Sequence, residues 1–403
     1  MEYVIVNGVI YIATLLIYWR YKRRFDLGFL IIAAFAFIAL LAIPHHYFLG
    51  SLYKRTISVL PFIYLYVVLL LFIRPYIRAN KNIVNNVIVP NQRKLKLIAN
   101  LFIISAVVST YVLLPLAIKN IGSGEWNEIR NELYAEENTM PYENFFEHIM
   151  MIYNQYFRLI SILIFFYFIT TQKQGKLFLI FLALSIVVPT FLVSINIASR
   201  GMIINLSMEL LAGFILFSNG ISSKIKKKIY LFAFIFIAVF LVYSMAVTDS
   251  RFGDETGYEY SANFSLLDYF GQPMLVFNDA IASMHDYANG KYFFKFIFDL
   301  FSIDSDINQH QLGGNWGVSF FTFIGALYID FGPFGTFFLA LILPYYINRN
   351  INGRAIYFEN IYLYYFFYIF FLEGVFVTGY SSIIGLMFTF VIYLFLKTQK
   401  QYE

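Results

Sequence analysis

The sequence contains no cysteine. This absence excludes disulfide bonds, thiolate nucleophiles, and zinc or iron–sulfur sites built on cysteine. Charge is also scarce, because Asp, Glu, Lys and Arg make up only 13% of the 403 residues, against about a quarter in soluble domains. Hydrophobic residues make up 60% of the chain. The composition therefore indicates a membrane protein.

Several catalytic and metal-binding motifs are missing as well. The chain has no G-x-x-x-x-G-K-[ST], no G-x-S-x-G and no H-E-x-x-H. The adjacent pair His45 and His46 has poor spacing for a shared metal, since neighbouring residues seldom bind one ion. A D-x-D at 304–306 lies on a segment predicted to be outside the cell, where nucleotide sugars are absent. We therefore expect neither a metal site nor a cofactor.

Long apolar runs dominate what remains. Because about 20 apolar residues cross a bilayer, the pattern predicts an all-α polytopic membrane protein with about eleven transmembrane helices in a single domain over 1–403. The first run lacks a cleavage site of the A-x-A type, so we do not expect it to be a removable signal peptide. The predicted spans are 3–19, 27–44, 57–73, 97–118, 151–171, 177–197, 202–218, 229–247, 332–347, 356–375 and 382–396.

Basic residues fix the predicted orientation of these spans. Most of the 29 lysines and arginines lie in alternate loops, and such loops face the cytoplasm. The N-terminus is then outside and the C-terminus is cytoplasmic. The basic loops are 20–24, 74–96, 172–176, 223–228, 348–354 and the C-terminal tail.

Two of the outer segments are long. Residues 119–150 are acidic, and residues 248–316 form a large mixed loop with two stretches of amphipathic helical spacing. A loop of that length with its own structure is usually functional. The run 316–347 is interrupted at "DFGPFG" (330–335), which is a helix breaker. We expect a short outer helix, a broken entry into the ninth span, and a polar cavity on the outer side, because broken backbone at membrane depth needs protein or water beside it.

Three arginines stand out in this apolar background. Arg200, in the predicted hairpin "ASRG", either extends to the headgroups or grips an anion together with the N-terminus of the next span. Arg251, in "TDSRFG", is either a solvated loop residue paired with a carboxylate or a second anion ligand converging with Arg200. Arg158 lies inside span five, so it is a functional candidate whose structural alternative is an ion pair with Glu209 or Glu373.

His310, in "INQHQLGG", precedes the interrupted run. Histidine can act as a general base near neutral pH, although a loop histidine is more often simply solvated.

Together these features resemble the bacterial O-antigen polymerase family of oligosaccharide repeat-unit polymerases. The resemblance covers most of the chain in hydropathy, with many spans and one large outer loop in the second half. The motifs that carry it are "SRG" (199–201), "DSRFG" (249–253) and "GGNWGVSFFTFIGALYIDFGPFGTFFLALIL" (313–343).

The resemblance implies a multispan fold of the lipid-sugar glycosyltransferase (GT-C) type in the bacterial inner membrane. It implies a metal-independent transfer of a glycan from undecaprenyl diphosphate to the hydroxyl of an incoming lipid-linked repeat. Partners would be the lipid-linked oligosaccharide, the membrane and a chain-length regulator, with no nucleic acid. We expect Arg200 and Arg251 to stabilise the diphosphate, and His310 or a loop carboxylate to act as the base. Arg158 is expected as a further catalytic residue.

Sugar binding is expected from polar and aromatic residues on the outer side. Carboxylates and amides accept bonds from sugar hydroxyls, and tyrosine rings stack on pyranoses. The expected residues are Asn315, Tyr328, Asp330, Glu255 and Tyr258.

Two other functions stay open. An O-antigen ligase shares the architecture but passes the glycan to a lipid core, and it typically has a His-Asn pair where this chain has His310 and Gln311. A polysaccharide flippase would do no chemistry, and the intramembrane charges Arg158, Glu209 and Glu373 are compatible with a transport pathway.

Overall fold

The structure is a computed structural model, and most of the residues that it describes are helical. The described residues are 1–53, 55–79, 87–88, 90–126, 128–129, 144–171, 174–252, 262–304, 320–351, 356–376 and 382–397.

These ranges contain fourteen α-helices, a 3₁₀ turn at Ser218–Gly220 and a π-helix at Phe277–Ile281. The helices are α1 Glu2–Lys22, α2 Leu27–Tyr53, α3 Val59–Arg78, α4 Gln92–Ser123, α5 Phe145–Thr171, α6 Lys176–Asn196, α7 Arg200–Phe217, α8 Ser223–Phe252, α9 Ala262–Gly271, α10 Pro273–Val276, α11 Lys295–Leu300, α12 Phe323–Ile351, α13 Phe358–Glu373 and α14 Ser382–Lys397.

The chain is an all-α protein embedded in a membrane. Within the described residues, nine helices are long and apolar enough to cross a bilayer, namely α1 to α8 and α12. Helices α13 and α14 also match predicted spans, but each has 16 residues. At 1.5 Å per residue each extends about 24 Å, against a hydrocarbon core of about 30 Å. The count of eleven spans therefore stays a prediction.

The helices are divided between two compact units. The first unit consists of 1–86 and 263–395, and the second of 87–262 and 396–403. Helices α4 to α8 thus form the second unit, inserted in the sequence between α3 and α9.

Buried tyrosines hold the core of the first unit, in which α1 packs on α2 and α3 packs on α12. Tyr76, Tyr364 and Tyr368 are almost completely buried. The Tyr76 hydroxyl donates to the carbonyl of Tyr364 (3.1 Å), and that of Tyr368 donates to the carbonyl of Leu27 (3.0 Å). These bonds supply partners for hydroxyls that would be costly to bury alone.

Helix α12 is broken at Gly332, inside the segment where the sequence predicts a helix breaker. Gly332 has φ 66° and ψ −176°, which is not helical. Glycine adopts this backbone because it has no Cβ. A Cβ built there would also lie 3.0 Å from the ring of Tyr287. The break thus depends on glycine for both conformation and space.

We expect Gly332→Ala to destabilise the protein by about 1–3 kcal/mol, because it imposes a strained backbone and a contact with Tyr287. Gly122→Ala is the matched control, since Gly122 lies in α4 with no atom within 4 Å of its would-be Cβ. That control should be neutral or slightly stabilising. Thermal unfolding in detergent measures both, and equal transition temperatures would contradict the prediction.

The second unit is a bundle in which α4 packs on α5 and α6, and α7 packs on the same two helices. Helix α8 differs, because no side chain in its most apolar described stretch is buried. Phe232, Phe234 and Val242 are among its exposed apolar residues. In a membrane-embedded chain such a surface faces lipid.

Candidate functional site

The turn between α6 and α7 is built from bonds to main-chain oxygens. Helix α6 ends at Asn196 and α7 begins at Arg200. The Ser199 amide donates to the carbonyl of Ser194 (2.9 Å), and the Ser194 hydroxyl donates to the carbonyl of Ser199. Ala198 between them has a left-handed φ of 47°. The predicted hairpin at "ASRG" is therefore a short, internally bonded turn.

Two further bonds tie this turn to other helices of the second unit. The Tyr243 hydroxyl, on α8, donates to the carbonyl of Ser194 (2.8 Å). The Asn196 amide donates to the carbonyl of Leu113 on α4 (3.1 Å). On one side Tyr243 bonds to the backbone of the turn, and on the other the side chain of Asn196 bonds to the backbone of α4.

An apolar cluster packs around the turn. Its buried members come from α4, α6, α8 and the segment after α4, and Met202 and Tyr243 pack against them. They are Leu113, Ala117, Trp126, Ile129, Leu192, Val193, Ile195, Ala198 and Val247. Trp126 meets the ring of Tyr243 edge-on at 5.9 Å. This packing gives the turn a rigid base.

Arg200 is the first residue of α7 and is half-buried. The preceding residue, Ser199, makes no side-chain capping bond to the first turn of the helix. A helix N-terminus carries a partial positive charge and N–H groups that point outward. A guanidinium at that position adds a full positive charge and planar donors suited to phosphate or carboxylate. These are the features that anion sites at helix N-termini share.

Arg158 is engaged in a bidentate ion pair inside the second unit. Its Nε and Nη2 donate to the two carboxylate oxygens of Glu209 at 2.8 and 2.5 Å. The Glu209 side chain is 2% exposed and that of Arg158 is 16% exposed. Glu209 follows Arg200 by nine residues on α7, so the pair lies about 13 Å further along the helix axis. This geometry supports the structural alternative for Arg158, with Glu209 as the partner.

Arg251 lies on the same end of the second unit as Arg200. Rings of Phe214 on α7 and Tyr230 on α8 are 5.6 Å apart across the short 218–222 connection, so the two helices run antiparallel. Arg251 is the penultimate residue of α8, eight residues beyond Tyr243. That spacing puts its backbone about 12 Å beyond the turn along the helix axis. Its side chain lies outside the described residues.

Two expected sugar-binding residues are buried in the first unit. Asp330 is 2% exposed, and its two oxygens accept the backbone amides of Tyr292 (3.0 Å) and Phe293 (2.6 Å). Tyr328 is 8% exposed, and the rings of Tyr64 and Tyr287 lie edge-on at 5.6 and 6.0 Å. Both environments favour a structural role, because neither side chain offers its polar atoms or ring face to an entering sugar.

Four expected site residues lie outside the described residues. They are His310, Asn315, Glu255 and Tyr258.

Sequence reasoning did not find a buried histidine–aspartate pair in the first unit. His45 Nε2 lies 2.7 Å from Asp268 Oδ1, and the two side chains are 1% and 24% exposed. The residues are far apart in sequence, on α2 and α9, so no local spacing signals the contact. Close packing accompanies it, since a Cβ at Gly271 would lie 2.5 Å from that of His45. Among the described residues, no group of three or more His, Cys, Asp or Glu could hold a metal ion.

No family model, no curated protein and no solved structure matches this chain. The function of the α6–α7 turn must therefore be inferred from its geometry and residue chemistry.

Proposed function

We propose that the chain polymerises lipid-linked oligosaccharide repeats at the outer face of a bacterial cell membrane. In this proposal the protein is a glycosyltransferase, and Arg200 stabilises the diphosphate that leaves. The supporting observation is that Arg200 begins a membrane-spanning helix, in a turn fixed by main-chain hydrogen bonds.

The chemistry of the leaving group explains why an arginine at a helix N-terminus suits this reaction. A hydroxyl of the incoming repeat attacks the anomeric carbon of the growing glycan, a glycosidic bond forms, and the carbon–oxygen bond to the diphosphate breaks. The hydroxyl proton passes to a base, and the diphosphate leaves with the bonding electron pair. A fixed guanidinium at a helix N-terminus stabilises that developing charge without reorganising.

The membrane setting supports the same substrate class. A lipid-borne diphosphate lies at the interface, where a spanning helix begins or ends. The positive-inside pattern of the loops predicts that the α6–α7 turn lies on the outer side. The backbone of Arg251 ends α8 at the same end of the second unit, where a second cation would add to the positive charge.

A transport function is less well supported than a glycosyltransferase activity. Charges that line a pathway must meet a substrate, whereas Arg158 and Glu209 satisfy each other through two hydrogen bonds. A ligase activity, in contrast, uses the same leaving group and differs only in the acceptor.

Reconstitution distinguishes these functions. Purified protein in liposomes would receive an undecaprenyl-diphosphate-linked repeat with a lipid-core acceptor, and products would be separated by length. We expect glycans of several repeats. Unchanged length with altered sidedness would indicate a flippase, and transfer to the lipid core without elongation would indicate a ligase; either result contradicts the proposal.

A further inference from the structure

The first unit contains an apolar cavity of about 380 Å³ beside the break in α12. Its walls come from α3, α12, α13, α14 and the segment before α11. Every lining side chain is Phe, Leu or Ile, apart from one Tyr. The lining includes Phe293, Phe331, Leu339, Ile342 and Phe371.

The break in α12 shapes this cavity. Leu327 and Phe331 line it from the segment before Gly332, and Leu339 and Ile342 line it from the segment after. An unbroken helix would present these residues along one straight axis. The change of direction at Gly332 leaves space between the two segments and α13.

Asp330 positions another wall. Its carboxylate accepts the amides of Tyr292 and Phe293, which fixes the backbone of this segment against α12. The rings of Phe293 and Phe294 then line the cavity. A buried carboxylate thus holds apolar groups in place at the cavity wall.

The cavity is closed at one side and open at another. Phe371 and Phe72 are fully buried at its inner side, whereas Ile342 is 63% exposed and Tyr346 is 47% exposed. In a membrane-embedded unit, exposed residues of a spanning helix such as α12 contact lipid. The opening therefore faces hydrocarbon rather than water.

The lining determines what can enter. A volume of 380 Å³ lies in the range of small-molecule sites, but such sites normally carry a few polar groups that orient the ligand. Here the lining side chains are apolar apart from Tyr346, so a polar ligand would give up its water without gaining comparable hydrogen bonds. The bound group must therefore be hydrocarbon, and lipid chains are the hydrocarbon that surrounds α12.

We propose that this cavity binds one hydrocarbon chain of a bilayer lipid, held between the two segments of α12 and the aromatic rings of α13 and the 293–294 segment. The inference rests on the first unit alone and is independent of the proposed function. The occupant is an acyl chain of a bulk phospholipid, because phospholipid chains are the hydrocarbon that surrounds a spanning helix such as α12.

Photolabelling of the full-length protein in nanodiscs tests the proposal. One sample contains phosphatidylglycerol with a diazirine on one acyl chain, and a second contains a diazirine-bearing polyprenyl phosphate. Mass spectrometry then locates the adducts. We expect the phosphatidylglycerol probe to label the peptide with Phe293 and Phe294 or that with Leu327 and Phe331. Labelling of these peptides by the polyprenyl probe alone would overturn the assignment to a phospholipid.

Matched tryptophan variants give the control. Leu339→Trp fills the cavity and should reduce this labelling to background. Leu341→Trp adds the same ring two residues away at an exposed, non-lining position and should leave the labelling unchanged. If Leu339→Trp fails to fold, Leu339→Phe should lower the labelling partially.

Labelling spread evenly over the exposed apolar helices, or labelling of the cavity peptides that Leu339 variants do not reduce, would overturn the inference. Because the readout is an adduct and not a glycan, its failure is distinguishable from failure of the polymerase proposal.

Discussion

Replacing Arg200 by alanine is expected to abolish glycan elongation while the protein still inserts and folds. Arg200 is half-buried at the start of α7 and is not a member of the apolar cluster around the turn. Its removal should therefore leave that cluster intact. Loss of one charged donor to a developing oxyanion typically costs about 100- to 1,000-fold in rate. Elongation, which repeats the step many times, should then fall below detection.

Arg200→Lys should recover little of this loss. Lysine keeps the charge but replaces a planar fork of donors by a single ammonium, and bidentate contact with a diphosphate is lost. Rates for both variants are measured by following the repeat number of the product in liposomes over time.

Arg93→Ala is the matched control for Arg200→Ala. Arg93 is also in the first turn of a spanning helix of the second unit, but it is exposed and lies on the predicted cytoplasmic side. We expect the Arg93→Ala variant to elongate glycans at the rate of the wild-type protein. Normal elongation by Arg200→Ala, or an equal loss in Arg93→Ala, would remove the role given to Arg200.

Breaking the Arg158–Glu209 pair is expected to have the largest effect on stability. Arg158→Met leaves the Glu209 carboxylate, which is 2% exposed, without its bidentate partner. Removing one member of a buried ion pair usually costs about 3–5 kcal/mol, because the remaining charge is uncompensated. The double variant Arg158→Met with Glu209→Leu removes both charges and should recover most of that loss.

Measuring thermal unfolding and glycan elongation on the same variants separates a structural role of the Arg158–Glu209 pair from a catalytic role. Lys291→Ala is the stability control, because its pair with Asp304 is largely exposed and should contribute about 0–1 kcal/mol. A double variant as unstable as Arg158→Met would show that the pair itself is not the cause. A double variant that is stable but does not elongate glycans would assign the pair to the reaction.

The sequence was sufficient to predict the helices but not all their ends. Each predicted apolar run corresponds to a helix, because hydropathy detects the stretch that must avoid water. Helix α5, however, begins at Phe145, six residues before the predicted span. The Asn144 side chain accepts from the Glu147 amide (2.9 Å) and donates to its carboxylate (2.8 Å). This N-x-x-E capping pattern, at residues 144–147, is the sequence signal for the earlier start of the helix.

The candidate site was only partly predictable. The break near Gly332 followed from local residue chemistry, and the turn at Arg200 followed from two adjoining apolar runs. Which side chains face a neighbouring helix depends on packing instead. The sequence therefore left Arg158 open between two roles, and it suggested sugar contacts for Asp330, which instead accepts two buried amides.

The bonding around the α6–α7 turn also determines how freely this region can diverge. Ser194, Asn196 and Tyr243 all donate to main-chain oxygens, which every residue type carries. Ile195 and Ile197 pack in the apolar cluster, so they can be exchanged for apolar residues of similar volume without changing the path of the backbone. Sequences that keep these three donors and the volume of their neighbours should therefore keep the same turn.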